Sequence, residues 1–243
     1  MKRTERHHLK ENLLATWISG VLNSIGGGGL ARNAAILTLV VLVLAGGTYT
    51  WLEWRESQAS ESLARAMSVV NSLVLEVNDT NAPPPAPEGN FATVDAKLEA
   101  ALPLLMETAN SYPSLQQGVA ARYQAASALG VLGRTTESGQ EYEKVIDSDP
   151  DGLYGGMSRL GRAEVFLASE EYNEAIGLLQ EAANQPGAVV PLDAVLMRLG
   201  KAYALSGQTD EAVTTFRRVI NETNGAAYRF EATQEIEILG GDP

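Results

Sequence analysis

The chain has 243 residues, 45% of them hydrophobic, with 18 Lys/Arg against 30 Asp/Glu and a formal net charge of −12. It contains no cysteine, which excludes disulfides, thiolate metal sites and thiol nucleophiles. Its only two histidines, His7 and His8, lie in a basic N-terminal stretch, so a histidine general base in the folded part is excluded as well. Up to Arg32 five basic residues face two acids, whereas the remainder carries 13 basic and 28 acidic residues, a net of −15. That acidity argues against nucleic acid as a partner.

Residues 1–32 read as a basic cytoplasmic tail. Within it "LKENLLATWISGVLNSI" places Leu9, Leu13, Trp17, Leu22 and Ile25 near one helical face below the basic cluster. One reading is an interfacial helix drawn to anionic lipid, with the Gly26 to Gly29 run allowing a turn into the apolar segment beyond it. The other is a disordered tail.

Residues 33–52, "NAAILTLVVLVLAGGTYTWL", pass without a charge. At about 1.5 Å per residue such a run crosses a hydrocarbon core of roughly 30 Å. Tyr49, Trp51 and Trp54 mark one border and Arg32 the other, as interfacial aromatic rings and cations do. A transmembrane helix is expected. A cleaved signal peptide fits less well, because of the long stretch ahead of the apolar run and the poor small-residue site at 43–45. Five Lys/Arg precede the span, while only Arg55 and Arg65 come soon after it, so the N-terminus is expected in the cytoplasm and the acidic part outside. In a bacterium that is the periplasmic side of the inner membrane.

Residues 53–77 keep helical apolar spacing as a membrane-proximal helix, and the proline cluster in 78–90, "DTNAPPPAPEGN" with its preceding Asn, reads as an extended linker. The segment 91–243 carries a repeat. Gly200 is followed by Tyr203, Ala212 and Phe216; the same offsets give Ala163, Phe166, Ala175, Leu179 and Ala126, Leu129, Ser138, Tyr142. The period is therefore 37. Small residues let two helices of a hairpin approach closely, and the large ones fill the gap to the next hairpin. Another 37 residues back, Ala101 and Leu105 mark a second helix whose first helix would fall at Gly89, inside the linker. The membrane-proximal helix is the expected substitute. Pro103 should kink its helix or mark a restart. "AAYRFEATQEIEIL", 226–239, reads as a capping helix.

"LGKAYALSGQTDEAVTTF" resembles the tetratricopeptide repeat pattern of Leu-Gly, Tyr, Ala and Phe, with Pro150 at the terminal position, Pro186 one early and Asn224 in its place. The expected fold is thus all-α: a single transmembrane helix followed by a short tetratricopeptide-like solenoid of helical hairpins. Tail, span and array together resemble the YfgM-like ancillary subunits of the SecYEG translocon. That resemblance implies a membrane-anchored module meeting the secretion channel, periplasmic chaperones or exported clients. The alternative is a scaffold tethering another envelope assembly, for outer-membrane biogenesis or division.

Projecting the repeat register places Tyr123, Ser127, Met157, Leu160, Glu164, Met197 and Lys201 on the inner face as a largely apolar protein-binding groove, although Met and Leu at helical spacing equally suit a core. Changing Leu160 and Met197 together to Asp is expected to weaken client capture by orders of magnitude and leave the array folded. Glu170 with Glu171, and Asp147 with Asp149, fall at inter-helix turns, and "DSDPDG", 147–152, lacks the spacing of a calcium loop. No catalytic residue, metal, cofactor or small-molecule substrate is expected.

Overall fold

A computed structural model describes residues 29–74, 90–185, 189–223 and 226–242. The amphipathic stretch of the tail, most of the proline-rich segment, Pro186 and Asn224 lie outside them. The chain divides into two compact units at Arg55/Glu56.

In the first unit, the described residues belong to the helix α1, Gly29–Val70. From Ile36 to Trp54 its large apolar side chains are all exposed. Thr38, Thr48 and Thr50 donate their hydroxyls to the carbonyls of Ala34, Ala45 and Gly46 at 2.9–3.1 Å, so the polar groups of the run are satisfied within the helix itself. That is what a hydrocarbon environment demands, and α1 contains a stretch long and apolar enough to cross a membrane. Arg55 stacks 5.3 Å from the Trp51 ring centroid at the end of the run.

Among the described residues of the second unit the last turns of α1 are followed by eight further helices: α2 (Val94–Ser111), α3 (Gln116–Val131), α4 (Thr135–Ser148), α5 (Leu153–Ala168), α6 (Tyr172–Asn184), α7 (Leu192–Leu205), α8 (Thr209–Glu222) and α9 (Ala226–Ile238). Helices α3/α4, α5/α6 and α7/α8 are the three hairpins of the 37-residue repeat. An earlier hairpin precedes them. Ala66 of α1 packs with Ala101, Leu102 and Leu105 of α2 and with Ala121 and Ala125 of α3, while Ser62 and Thr108 share a 2.7 Å hydrogen bond. The end of α1 is therefore the missing first helix of that hairpin. The period points to Gly89 instead because an insertion separates Ala66 from α2. Its two flanks are tied together: Val74 and Phe91 form a parallel bridge, and Phe91 N–H donates to Leu73 C=O at 3.0 Å. Pro103 does not interrupt α2, which runs continuously through it with the ring exposed.

The hairpin turns repeat as closely as the helices. Gly133, Glu170 and Gly207 stand 37 apart, and all take positive φ, 72°, 61° and 80°. After each, an N–H returns five residues to close the helix end: Arg134 to Leu129, Glu171 to Phe166, Gln208 to Tyr203, at 2.8–2.9 Å. Two of these turns use glycine, for which positive φ carries no steric cost; the middle one does not.

Helices in first position touch one another in series, α3 with α5, α5 with α7 and α7 with α9, whereas among the described residues α4, α6 and α8 make no such contacts. The first-position helices thus line the inner side of the stack. The small residues sit where close approach requires them. Ala126, Ala163, Ala175 and Ala212 are fully buried, and Ser138 Oγ donates to Ala126 C=O at 2.7 Å. A Cβ on Gly200 would lie 2.5 Å from the Phe216 ring.

Candidate protein-binding groove

Two columns of residues run along the inner side, one member per repeat. Tyr123, Leu160 and Met197 share one register position on α3, α5 and α7; Ser127, Glu164 and Lys201 share the next, one helical turn on. Between α3, α4 and α5 a cleft of about 540 Å³ is lined by Tyr123, Ser127, Met157, Leu160 and Glu164, with Tyr142, Gly161 and Arg198. A smaller cleft of about 180 Å³ adjoins it, holding Met197, Lys201, Tyr228, Glu231 and Glu235. Glu164 and Arg198 line both, so the clefts meet at that pair.

The structure corrects the expected chemistry of this face. Leu160 and Met197 are only 9% and 7% exposed, and both belong to the core that joins α5 to α9. They form the floor, and a pair of aspartates there would enter the core. The reason is their register: the first column points into the seam between neighbouring inner helices. The second column, with Glu164 and Lys201 exposed and Ser127 half-buried, meets solvent, and of the first column only Tyr123 does so in part. The groove consequently has an apolar floor and charged walls.

Tyr123 packs between two tyrosines, its ring centroid 6.0 Å from Tyr142 and 5.7 Å from Tyr154. Burial pushes the Tyr123 hydroxyl pKa up, Arg198 pulls it down in part, and Tyr154 adds to the rise. Tyr142 is raised chiefly by burial and next by Tyr123, against a hydrogen bond from Ser127. Both remain neutral phenols. Arg198 Nε lies 3.0 Å from Glu164 Oε1, yet its N–H is not aimed at a hydrogen-bond acceptor, so the contact is coulombic; Nη1 donates to Ala194 C=O at 3.1 Å.

Three features here escape the repeat pattern. The Tyr142 ring rests on Gly161, where a Cβ would come within 2.3 Å of it; the Leu160-Gly161 pair repeats the Leu-Gly dipeptide but two residues out of register. Arg198 occupies the wall at the position 37 after Gly161. Arg122 and Glu141 form a pair in the interior of α3/α4 at 2.5 Å, 12% and 8% exposed. Arg122 also reaches Ala109 C=O and Asn110 Oδ1, and Glu141 accepts from Lys144. Only charge at a buried register position signals such a pair in sequence.

Of the packing residues, Tyr142, Tyr203 and Phe216 are buried, and Tyr203 OH accepts from Gln180 Nε2 at 2.5 Å. At the proposed turns, Asp149 Oδ2 accepts from the N–H groups of Tyr154 and Gly155, capping α5. Glu170 and Glu171 lie between α5 and α6. Among the described residues no three His, Cys, Asp or Glu side chains gather as metal ligands.

The family signature of tetratricopeptide repeat-like domains matches residues 30–235. Similar solved structures include the nearly identical TPR-like repeats attributed to a kinesin light chain of Podosopora anserina, at 18% identity, covering 60% of this chain and 80% of that one with a TM-score of 0.48. A fragment of MamA, 41 to the end, from Desulfovibrio magneticus RS-1 is 19% identical over 58% of this chain and 76% of its own, TM-score 0.45. Another MamA structure is 16% identical over 59% and 77%, TM-score 0.49. Comparison with curated proteins gives no match.

Proposed function

The chain belongs to the tetratricopeptide repeat-like domain family, and we propose that it is a membrane-anchored protein-binding module of a bacterial inner membrane, N-terminus cytoplasmic and array periplasmic. In this reading it is an ancillary member of the translocon or chaperone network, and its groove contacts exported polypeptides. The function is non-enzymatic. The observation that carries the reading is the inner groove, where Ser127, Glu164 and Lys201 present one accessible side chain per repeat above a buried floor. The anchoring part is supported by the exposed apolar run of α1, and the orientation by the basic residues ahead of it.

A photoreactive amino acid at Ser127 or Lys201 of the full-length protein in its membrane tests the groove. Crosslinks to many exported chains are expected. Because the sequence has no cysteine, one introduced at Gly177, where a side chain has open space, reports topology through an impermeant maleimide. Labelling without breaking the membrane is the expected result, and protection would reverse the orientation.

A second reading has its own observation. An outer cleft of about 570 Å³, lined by Gln180, Asp210, Glu211, Thr214 and Arg218, lies on the α6/α8 side. It favours a scaffold that tethers one envelope assembly to the membrane. A single stoichiometric partner captured from Thr214, with none from Ser127, is the outcome that selects it.

A further inference from the structure

Resting on the groove reading, we infer the chemistry of the occupant: an extended polypeptide segment carrying a lysine or arginine that seats on Glu164, with an apolar side chain three residues away over the Tyr123–Met157 floor.

The charge of the second unit points to a cation. Residues 56–243 hold 12 Lys/Arg and 27 Asp/Glu. Among the described residues of that unit, seven of those basic side chains already lie within 4.0 Å of an acid, which leaves the surplus negative. An approaching acidic segment is repelled by this field and a basic one is steered into it. Within the groove Glu164 is the carboxylate common to both clefts, and Glu231 and Glu235 stand on the far wall.

Glu164 is also free to exchange its partner. Its side chain is 47% exposed, and its contact with Arg198 lacks an aligned hydrogen bond. Arg198 keeps its own bond to Ala194 C=O when the carboxylate turns away. Exchange therefore costs Arg198 a coulombic contact at its buried Nε but breaks no hydrogen bond of the guanidinium.

The spacing comes from the repeat. Neighbouring packed helices lie about 8–10 Å apart, and an extended chain advances about 3.3 Å per residue, so every third residue meets the next repeat. A cation at Glu164 on α5 thus sets the residue three positions away beside Tyr123 and Ser127 on α3. Tyr123 and Met157 are half-buried there and offer a face to an apolar side chain.

The test uses the full chain in nanodiscs of uncharged lipid and two fluorescein-labelled peptides, with either lysine or glutamate three residues after a leucine in an otherwise serine–glycine sequence. The lysine peptide is expected to bind at least about tenfold more tightly at low salt, with the gap narrowing as salt screens it. Glu164→Gln should close most of that gap and Glu164→Lys should invert it. Glu174→Lys, an exposed change on α6, should leave it in place, and circular dichroism verifies that each variant is folded. Equal affinity for the two peptides, or a gap that survives Glu164→Lys, overturns the inference. If Ser127 crosslinks to partners persist while the gap is absent, only the charge assignment fails. If Ser127 yields no partner and neither peptide binds, the groove reading falls with it.

Discussion

Hairpins α3/α4 and α7/α8 share one register and bury opposite chemistry. In α7/α8 the interior is apolar: Leu196 and Phe216 are fully buried, and Thr215 satisfies its hydroxyl on Glu211 C=O within its own helix. At the positions 74 residues earlier stand Arg122 for Leu196, Glu141 for Thr215 and Tyr142 for Phe216. The same backbone thus accommodates a buried ion pair and a hydrocarbon core. The lesson is that the period conserves what the backbone requires, small residues at the close approach and positive φ in the turn. The remaining interior positions need only be filled and satisfied.

The largest effect is expected from carrying the α3/α4 chemistry into the seam where it has no partners. Leu160→Asp with Met197→Asp should destabilise the array by about 3 to 5 kcal/mol for each site, since lost packing adds to a buried unpaired carboxylate. A thermal melt of the full chain in detergent micelles checks this, and a melt like that of the unaltered protein would show that the seam is wetter than the structure has it.

Next comes the pair itself. Glu141→Ala leaves Arg122 without its carboxylate inside the hairpin and should cost about 3 to 5 kcal/mol, read from denaturant unfolding. Arg122→Leu combined with Glu141→Thr copies α7/α8 and should be neutral or stabilising. If the double variant is as damaged as the single one, the two hairpins are not interchangeable.

Overpacking tests the other side of the comparison. Gly200→Leu drives a side chain into the Phe216 ring and should cost about 1 to 3 kcal/mol in melting or denaturant experiments. Gly177→Leu, inside α6 with open space around it, should instead gain about 0.5 to 1 kcal/mol from helix propensity and serves as the reference.

The smallest effect has the opposite sign. Glu170 holds φ at 61° where the other two repeats have glycine, so Glu170→Gly should stabilise by about 0.5 to 1 kcal/mol after the entropy of a new glycine is set against the relieved strain. Glu171→Gly, at a φ of −85°, should destabilise instead. Calorimetry on the pair separates a special turn position from a general tolerance for glycine.

How much of this was legible divides along the same line. The long apolar helix, the all-α class and the 37-residue hairpins can be read from sequence, because a hydrocarbon run and a fixed period are one-dimensional properties of the chain. So can the column register of Tyr123, Leu160 and Met197. The first hairpin is legible in its members but not in its phase: Ala101 and Leu105 keep the period and the membrane-proximal helix is the expected partner, yet the insertion between Val74 and Phe91 moves that helix out of register. The depth of Leu160 and Met197, the Arg122–Glu141 pair and the meeting of two clefts at Glu164 and Arg198 were decided by the tertiary structure. A periodic sequence specifies which way a side chain leaves its helix. Whether that direction opens to water or into a seam depends on how closely the neighbouring helix packs, and only the folded stack sets that distance.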